Sequence, residues 1–331
     1  MPLRPHFLGP WRFAGVLLHG SLWKQFSLVI GSVYKSTLQR ANPDGRHAKS
    51  NPISEFERGV IMKAVILAAG RGTRIQGLTQ GSPKCLLPFG DRTILDFQLD
   101  SLFQAGISEV AIVVGHAERE IVDHVARRQF EQLPWITFIS NPEYARTNNI
   151  YSLSLAKEWV GDDAFFCLNA DVLFHPGILL PALQTHDDLS IIVDWEFREE
   201  TTKVIIQDGR VVKLSKSVSR EDYSGTFANI ARFSSRGARR LFAKIESMLR
   251  EGRVDQFFND ALGQLSAEGT KVGFTETEGL PWAEIDDAND FHYAQTIVYP
   301  ALNPTMADME PIEMDFQSAS LVSAGSAGAI V

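Results

Sequence analysis

The sequence predicts an α/β fold: a doubly wound, mostly parallel sheet with helices on both faces and a small β-hairpin insertion. Three observations carry this. Residues 63–69, KAVILAA, form an unbroken apolar run, as a strand buried on both faces does. Runs of that kind alternate with segments of helical spacing, β-α-β-α-β-α-β from residue 63 to residue 171. The first run also opens directly into GRGTR, a glycine-rich loop at the carboxyl edge, where such sheets bind ligands.

The elements follow in order. TILDFQLDSLFQAG (93–106) has helical apolar spacing and ends on Gly106. Strand EVAIVVG, helix EREIVDHVARRQF, strand ITFIS, helix IYSLSLAKEWV and strand AFFCLNAD come next. TKVIIQDGRVVKLS reads as two strands joined by Asp208-Gly209, a hairpin signal. GTFANIARFS is a further strand, and residues 235–252 and 254–265 are helices. KVGFTET and WAEIDD close the core, and 288–298 is a final helix.

The organisation expected is an extension over 1–61, disordered or non-native, one domain over 62–299, and a disordered tail over 300–331. The first 61 residues carry an excess of about five positive charges and show no sustained period. KAVILAA begins directly after Met62, so Met62 is the expected functional start. A net charge of −8 argues against a dedicated nucleic-acid binder. No stretch reaches the ~20 apolar residues of a membrane span; the closest, near residues 13–33, is broken by His19, Lys24 and Gln25. Cys85 and Cys167 are too few for a disulfide framework and read as buried thiols of a cytoplasmic protein.

The opening loop suits a triphosphate. Gly70 and Gly72 let the backbone approach a ligand and point N–H groups at it, while Arg71, Arg74 and Lys84 supply positive charge. A solvated turn is the alternative. The dinucleotide fingerprint fails because Ile75 stands where its third glycine belongs, and no GxxxxGK[ST] occurs. The string LAAGRGTR, a short gap and Pro83-Lys84 before an apolar run resembles the bacterial nucleoside-triphosphate transferase family. The similarity runs from about Met62 to Val298. It is strongest to the branch acting with CTP on phosphocholine or 2-aminoethylphosphonate. NPEYARTNNIYSLSLA, LNADVLF and LPWAEIDDANDFHYA (141–156, 168–174 and 280–294) carry the rest of it.

That resemblance implies a Rossmann-like, GT-A-like nucleotidyltransferase fold. The implied reaction is Mg²⁺-dependent transfer of a cytidylyl group from CTP to a phosphate or phosphonate, with release of pyrophosphate. It assigns the nucleotide to Leu67, Ala68, Ala69, Gly70, Gly72, Thr73, Arg74 and Lys84, and the base to the segment holding Asn149 and Ser152. It assigns the metal to Asp171 and Asp286, with Glu284 and Asp287 as neighbours, and catalysis to Lys84, Arg74 and Asp171. Many relatives carry Asp where this chain has Asn169. Read as residues alone, Asp171 and Asp286 could instead cap the helices that follow them, and TNNIYSL could be a capped helix start. For the acceptor, Lys216 resembles a lysine placed near its phosphate, and Tyr144, Tyr151, Trp195, Tyr223, Phe227 and Trp282 are aromatic candidates for an ammonium headgroup. A sugar-1-phosphate or inositol-phosphate transferase stays open, as does a nucleotide-binding module without catalysis; monomer and homodimer are equally compatible.

Overall fold

The computed structural model describes residues 62–302, apart from 73, 75, 80 and 129–134. The extension expected over 1–61 and the tail from 303 onward lie outside the described residues, as does Thr73. Regular structure runs to Leu302, three residues past the expected boundary.

Strand β1 (Met62–Ala68) lies inside the main sheet, hydrogen-bonded in parallel to β4 (Glu109–Val114) and β6 (Ala164–Asn169). Between β1 and β4 stand the short pair β2 (Pro88–Phe89) and β3 (Arg92–Thr93). β5 (Trp135–Ser140) extends the parallel array beyond β4. β11 (Gly225–Phe233) runs antiparallel to β6 and joins it to β8 (Leu189–Asp194) and to the hairpin β9 (Lys203–Gln207)–β10 (Arg210–Ser215). β12 (Gly273–Glu276) pairs in parallel with β8. The sheet is therefore mixed and mostly parallel around β1, as expected, with the antiparallel hairpin to one side. Asp208 and Gly209 take φ of 49° and 69°, the left-handed pair that a two-residue hairpin turn requires.

The continuous apolar run of β1 is explained by its neighbours. Val65 and Leu67 pack with one group of buried side chains, including Leu241, Phe242, Ile245 and Phe258, from helices that cover one face. Ala64, Ile66 and Ala68 pack with Leu95, Leu99, Ile121 and Leu179 on the other. The period of two along a strand sends alternate residues to opposite faces, and both are apolar because both are covered. Among the helices of the described residues are α1 (Ile94–Gln104), α2 (Glu118–Arg127), α3 (Asn149–Leu155), α4 (Ser235–Arg250), α5 (Phe258–Ala267) and α6 (Ala288–Tyr293). The helix expected over 150–160 is two pieces. The Ala156 amide bonds back to Leu153 O, a tightened turn that separates α3 from Lys157–Val160.

A second, two-stranded sheet positions the site. β7 (Val172–Phe174) pairs antiparallel with β13 (Trp282–Glu284), Val172 opposite Glu284. The Ile285 amide continues the ladder to Asp171 O at 3.0 Å. Leu173, Ala283 and Ile285 anchor this pair in a third apolar cluster with Leu87, Phe89 and Phe97. Two acids more than a hundred residues apart in sequence are thus joined by one strand pairing.

Candidate functional site

The loop after β1, the turn after β6, the start of α3 and the end of β13 converge on a cavity of about 260 Å³. Leu67, Ala69, Gly70, Gly72, Arg74, Lys84, Asn149, Ser152, Asn169, Asp171, Lys216 and Asp286 line it. Ala68 lies in an adjoining recess with Pro83, Lys84, Cys85 and Asp171. Gly72 has a φ of 56°, and a Cβ there would stand 2.9 Å from Lys84 Cγ, so a side chain at this position would collide with the lysine.

Lys84 is the hub. Its Nζ donates to Asp171 Oδ2 at 3.2 Å and to Asp286 Oδ1 at 2.5 Å. Arg74 Nη2 donates to Asp286 Oδ2 at 2.7 Å from a half-exposed position. Burial opposes the charge on Lys84, but Asp171 and Asp286 overcome it and raise its pKa above the usual lysine value. Burial would likewise raise the Asp286 carboxyl, but Lys84 and Arg74 hold it below its ordinary value.

Neither acid is a helix cap. Asp287 caps α6, its carboxylate accepting from the Asn289 and Asp290 amides, while the Asp287 amide donates to the Asp290 carboxylate. Asp171 precedes a strand, and the next helical turn is capped by His175. Both aspartates are left with their carboxylates toward Lys84.

Glu284 completes a group of three: carboxylate oxygens of Asp171, Glu284 and Asp286 lie within 4.8 Å of one another. Burial and the two neighbouring acids push the Glu284 carboxyl up to about 8. Hard oxygen donors packed this closely fit a divalent cation such as Mg²⁺. Asp171 Oδ1 supports the fit, because it is buried with no hydrogen-bond partner among the described residues.

Sequence reasoning missed Gln98. Fully buried on α1, its Nε2 donates at 2.8 Å to both Asn169 O and Val172 O, clamping the turn that carries Asp171. Nothing local marks it, since its partners are backbone carbonyls 71 and 74 residues away. Tyr144, Asn141, Thr147, Asn148 and Phe257 also line the cavity. Asn148 caps α3, so this segment both starts a capped helix and lines the cavity.

Of the aromatic acceptor candidates, Tyr144 lines the cavity, whereas Tyr151, Trp195, Tyr223, Phe227 and Trp282 do not. Asn149 and Ser152, three residues apart, share the cavity face of α3, which turns Tyr151 off it. Trp195 is half-exposed on another surface, donating to Glu276 Oε2 at 2.9 Å and resting edge-on against Phe274. Trp282 is fully buried, its Nε1 bonded to Asp194 and its ring 4.3 Å from the Arg198 guanidinium, so it has no face left for a ligand. Lys216 does reach the cavity, 5.9 Å from the Phe257 ring.

Comparison with known proteins agrees with this geometry. The family model described as the MobA-like NTP transferase domain matches residues 64–259. The CMP-5'-(3-aminopropyl)phosphonate synthase of Streptomyces rubellomurinus is 30% identical over 241 residues, covering 70% of this chain and 38% of that protein. The chain thus spans well under half the length of that relative. The CTP:phosphoglutamine cytidylyltransferase of Campylobacter jejuni is 24% identical over 252 residues, covering 69% of this chain and 97% of that protein. Among solved structures, the inositol-1-phosphate CTP transferase from T. maritima superposes with a TM-score of 0.64 at 22% identity, over 74% of this chain and 96% of that one, a likeness of fold. With more than half of its length matched, and with a glycine loop, a lysine and paired acids at one sheet edge, the chain belongs to the MobA-like NTP transferase family and is a nucleotidyltransferase.

Proposed function

We propose that the protein transfers the cytidylyl group of CTP to the phosphate or phosphonate of a small amine-bearing acceptor, such as phosphocholine or 2-aminoethylphosphonate, releasing pyrophosphate. The observation that carries this is Lys84, held between Asp171 and Asp286 at the mouth of the Gly70–Gly72 loop. In this reading the loop amides and Arg74 hold the β- and γ-phosphates. Lys84 bridges the α-phosphate and the incoming anion, aligning them and offsetting their repulsion. An acceptor oxygen forms the new bond to the α-phosphorus while the bond from that phosphorus to the bridging oxygen breaks, and its electron pair leaves with pyrophosphate. The acceptor oxyanion is already ionised near neutral pH, so no strong base is needed. Mg²⁺ bound by Asp171 and Asp286, with Glu284 beside them, would neutralise charge on the α-phosphate and the leaving group. CTP as donor is supported by the carboxamides and hydroxyl of Asn141, Asn148, Asn149 and Ser152 in the cavity lining, which can pair with a pyrimidine edge. The names of the two cytidylyl-forming relatives point the same way.

A sugar- or inositol-phosphate acceptor is the second reading, favoured by one observation: Tyr151, Trp195 and Trp282 do not line the cavity, which leaves Tyr144 and Phe257 as its aromatic lining residues. Pyrophosphate release tests both. CTP, UTP and GTP would each be offered with phosphocholine, 2-aminoethylphosphonate, phosphoethanolamine, inositol 1-phosphate and glucose 1-phosphate. Release with CTP and an amine-bearing acceptor is expected. Release only with a sugar or inositol phosphate would select the second reading, and a preference for UTP or GTP would overturn the donor assignment.

A further inference from the structure

Three asparagines from three distant elements form one hydrogen-bonded chain under the cavity. The Phe258 amide donates to Asn149 Oδ1 at 2.8 Å. Asn149 Nδ2 donates to Asn169 Oδ1 at 3.3 Å, and Asn169 Nδ2 donates to Asn229 Oδ1 at 3.2 Å. A backbone N–H can only donate, so the first bond fixes which end of Asn149 is oxygen. That choice fixes Asn169, and Asn169 fixes Asn229. The chain has one polarity, and it ends on Asn229 Nδ2, buried with no partner among the described residues.

Asn229 is held unusually for a strand residue. It lies within β11 at a φ of 58° and is 6% exposed. The β11–β8 register shifts between Phe227 and Ala231, so Asn229 sits in a bulge. On its other side, β11 pairs Ile230 with Leu168, which puts Asn229 opposite Asn169, one step past the last paired residues. Asparagine tolerates this left-handed backbone better than most side chains. The bulge and the residue type together aim one amide oxygen at Asn169.

We propose that this relay makes Asn169 a fixed hydrogen-bond donor toward a sugar hydroxyl of the bound nucleotide, with Asn229 as the positioning residue behind it. Asn169 lines the cavity between Asn149 and Asp171, that is, between the proposed base end and the proposed phosphate end. One N–H of its amide is spent on Asn229, which leaves the other for a ligand. A neutral donor here also keeps a further negative charge away from Asp171, Glu284 and Asp286. The inference rests on the reading of the cavity as a nucleoside-triphosphate site.

The test is CTP binding by calorimetry and steady-state kinetics on the full chain, in wild type, Asn169→Ala, Asn229→Gly and the double variant, with 2′-deoxy-CTP and 3′-deoxy-CTP alongside CTP. Glycine accepts the φ of position 229, so Asn229→Gly removes the amide without straining the bulge. Either single variant is expected to weaken CTP about tenfold and to raise its KM, with kcat at saturation held within about threefold. The double variant should be no weaker than Asn169→Ala, since both changes break one unit. Wild type should disfavour one of the two deoxy nucleotides, and Asn169→Ala should erase that preference. Wild-type affinity in both single variants, or equal binding of CTP and both deoxy forms by wild type, overturns the relay while leaving the cavity reading intact. A folded wild type that binds no nucleoside triphosphate overturns both, and is recognised by failing before any variant is compared.

Discussion

Lys84 makes the sharpest case at the scale of single residues. Its ammonium contacts two carboxylates at once, and the proposed reaction needs a cation where the α-phosphate meets the acceptor. Lys84→Ala should lower kcat by about 10²–10³ with much less change in acceptor KM, as loss of a preorganised electrostatic contact does. Unchanged turnover would remove Lys84 from the mechanism. Gln98 works at one remove. Gln98→Leu keeps roughly the same volume but leaves the Asn169 and Val172 carbonyls without their donor, which should cost about 1–3 kcal/mol in urea unfolding. It should also lower kcat through the slackened Asp171 turn; stability lost with kcat intact would make Gln98 purely structural. That Lys84, Arg74, Asp171 and Asp286 would meet was legible in the sequence, because a glycine loop after a buried strand has a local signature and acids at strand ends fall at the same sheet edge. Gln98 and Asn229 were not, since each works through partners supplied by another element. The tryptophans misled for a related reason: a Trp beside an acid motif looks the same in sequence whether its ring faces a ligand or, like Trp282, an arginine in the core.

At the scale of elements, two turns with similar backbones separate conformation from function. Gly209 has a φ of 69° and nothing within 4 Å of a would-be Cβ, whereas Gly72 has a φ of 56° and Lys84 at 2.9 Å. Gly209→Ala should therefore cost about 1 kcal/mol of backbone strain, read as a lower melting temperature, and leave turnover alone. Gly72→Ala should cost turnover as well, because the new methyl displaces the lysine. Equal kinetic effects from the two would contradict the account of the loop. Helices α1 and α2 are tied by Asp96, which is fully buried. Burial would raise its carboxyl, but hydrogen bonds from His124 and the Thr93 amide and hydroxyl hold it below the usual value, and Arg128 lies 3.3 Å away. A carboxyl whose folded pKa is depressed stabilises the fold above its unfolded value near 4, and that contribution fades as pH falls through the folded value. Asp96→Asn should therefore be less stable than wild type by about 1–3 kcal/mol at pH 7, with the gap narrowing below about pH 4. A gap that stayed constant down to pH 2 would assign the effect to packing. Most strands and helices were readable from apolar periodicity. The tightened turn at Ala156 and the bulge at Asn229 were not, because both answer to tertiary contacts that periodicity does not encode.

At the scale of the molecule, the central feature is that a large mixed sheet and a two-stranded sheet meet at one edge. The large sheet delivers the glycine loop and Asp171, and the β7–β13 pair brings Glu284 and Asp286 alongside. Chelation should accordingly abolish turnover and added Mg²⁺ should restore it, with circular dichroism unchanged throughout, because apolar clusters rather than the cation hold the two sheets together. The carboxyl-edge location followed from the alternation of strands and helices. The pairing of β7 with β13 did not, since three-residue strands are too short to show a period. The most direct test of the central claim is a crystal structure with Mn²⁺ and a non-hydrolysable CTP analogue, with the metal located by its anomalous signal. The account predicts one anomalous peak at coordination distance from both Asp171 and Asp286, with phosphates against Gly70, Gly72 and Arg74. A nucleotide bound in the cavity with its metal away from both aspartates would contradict it.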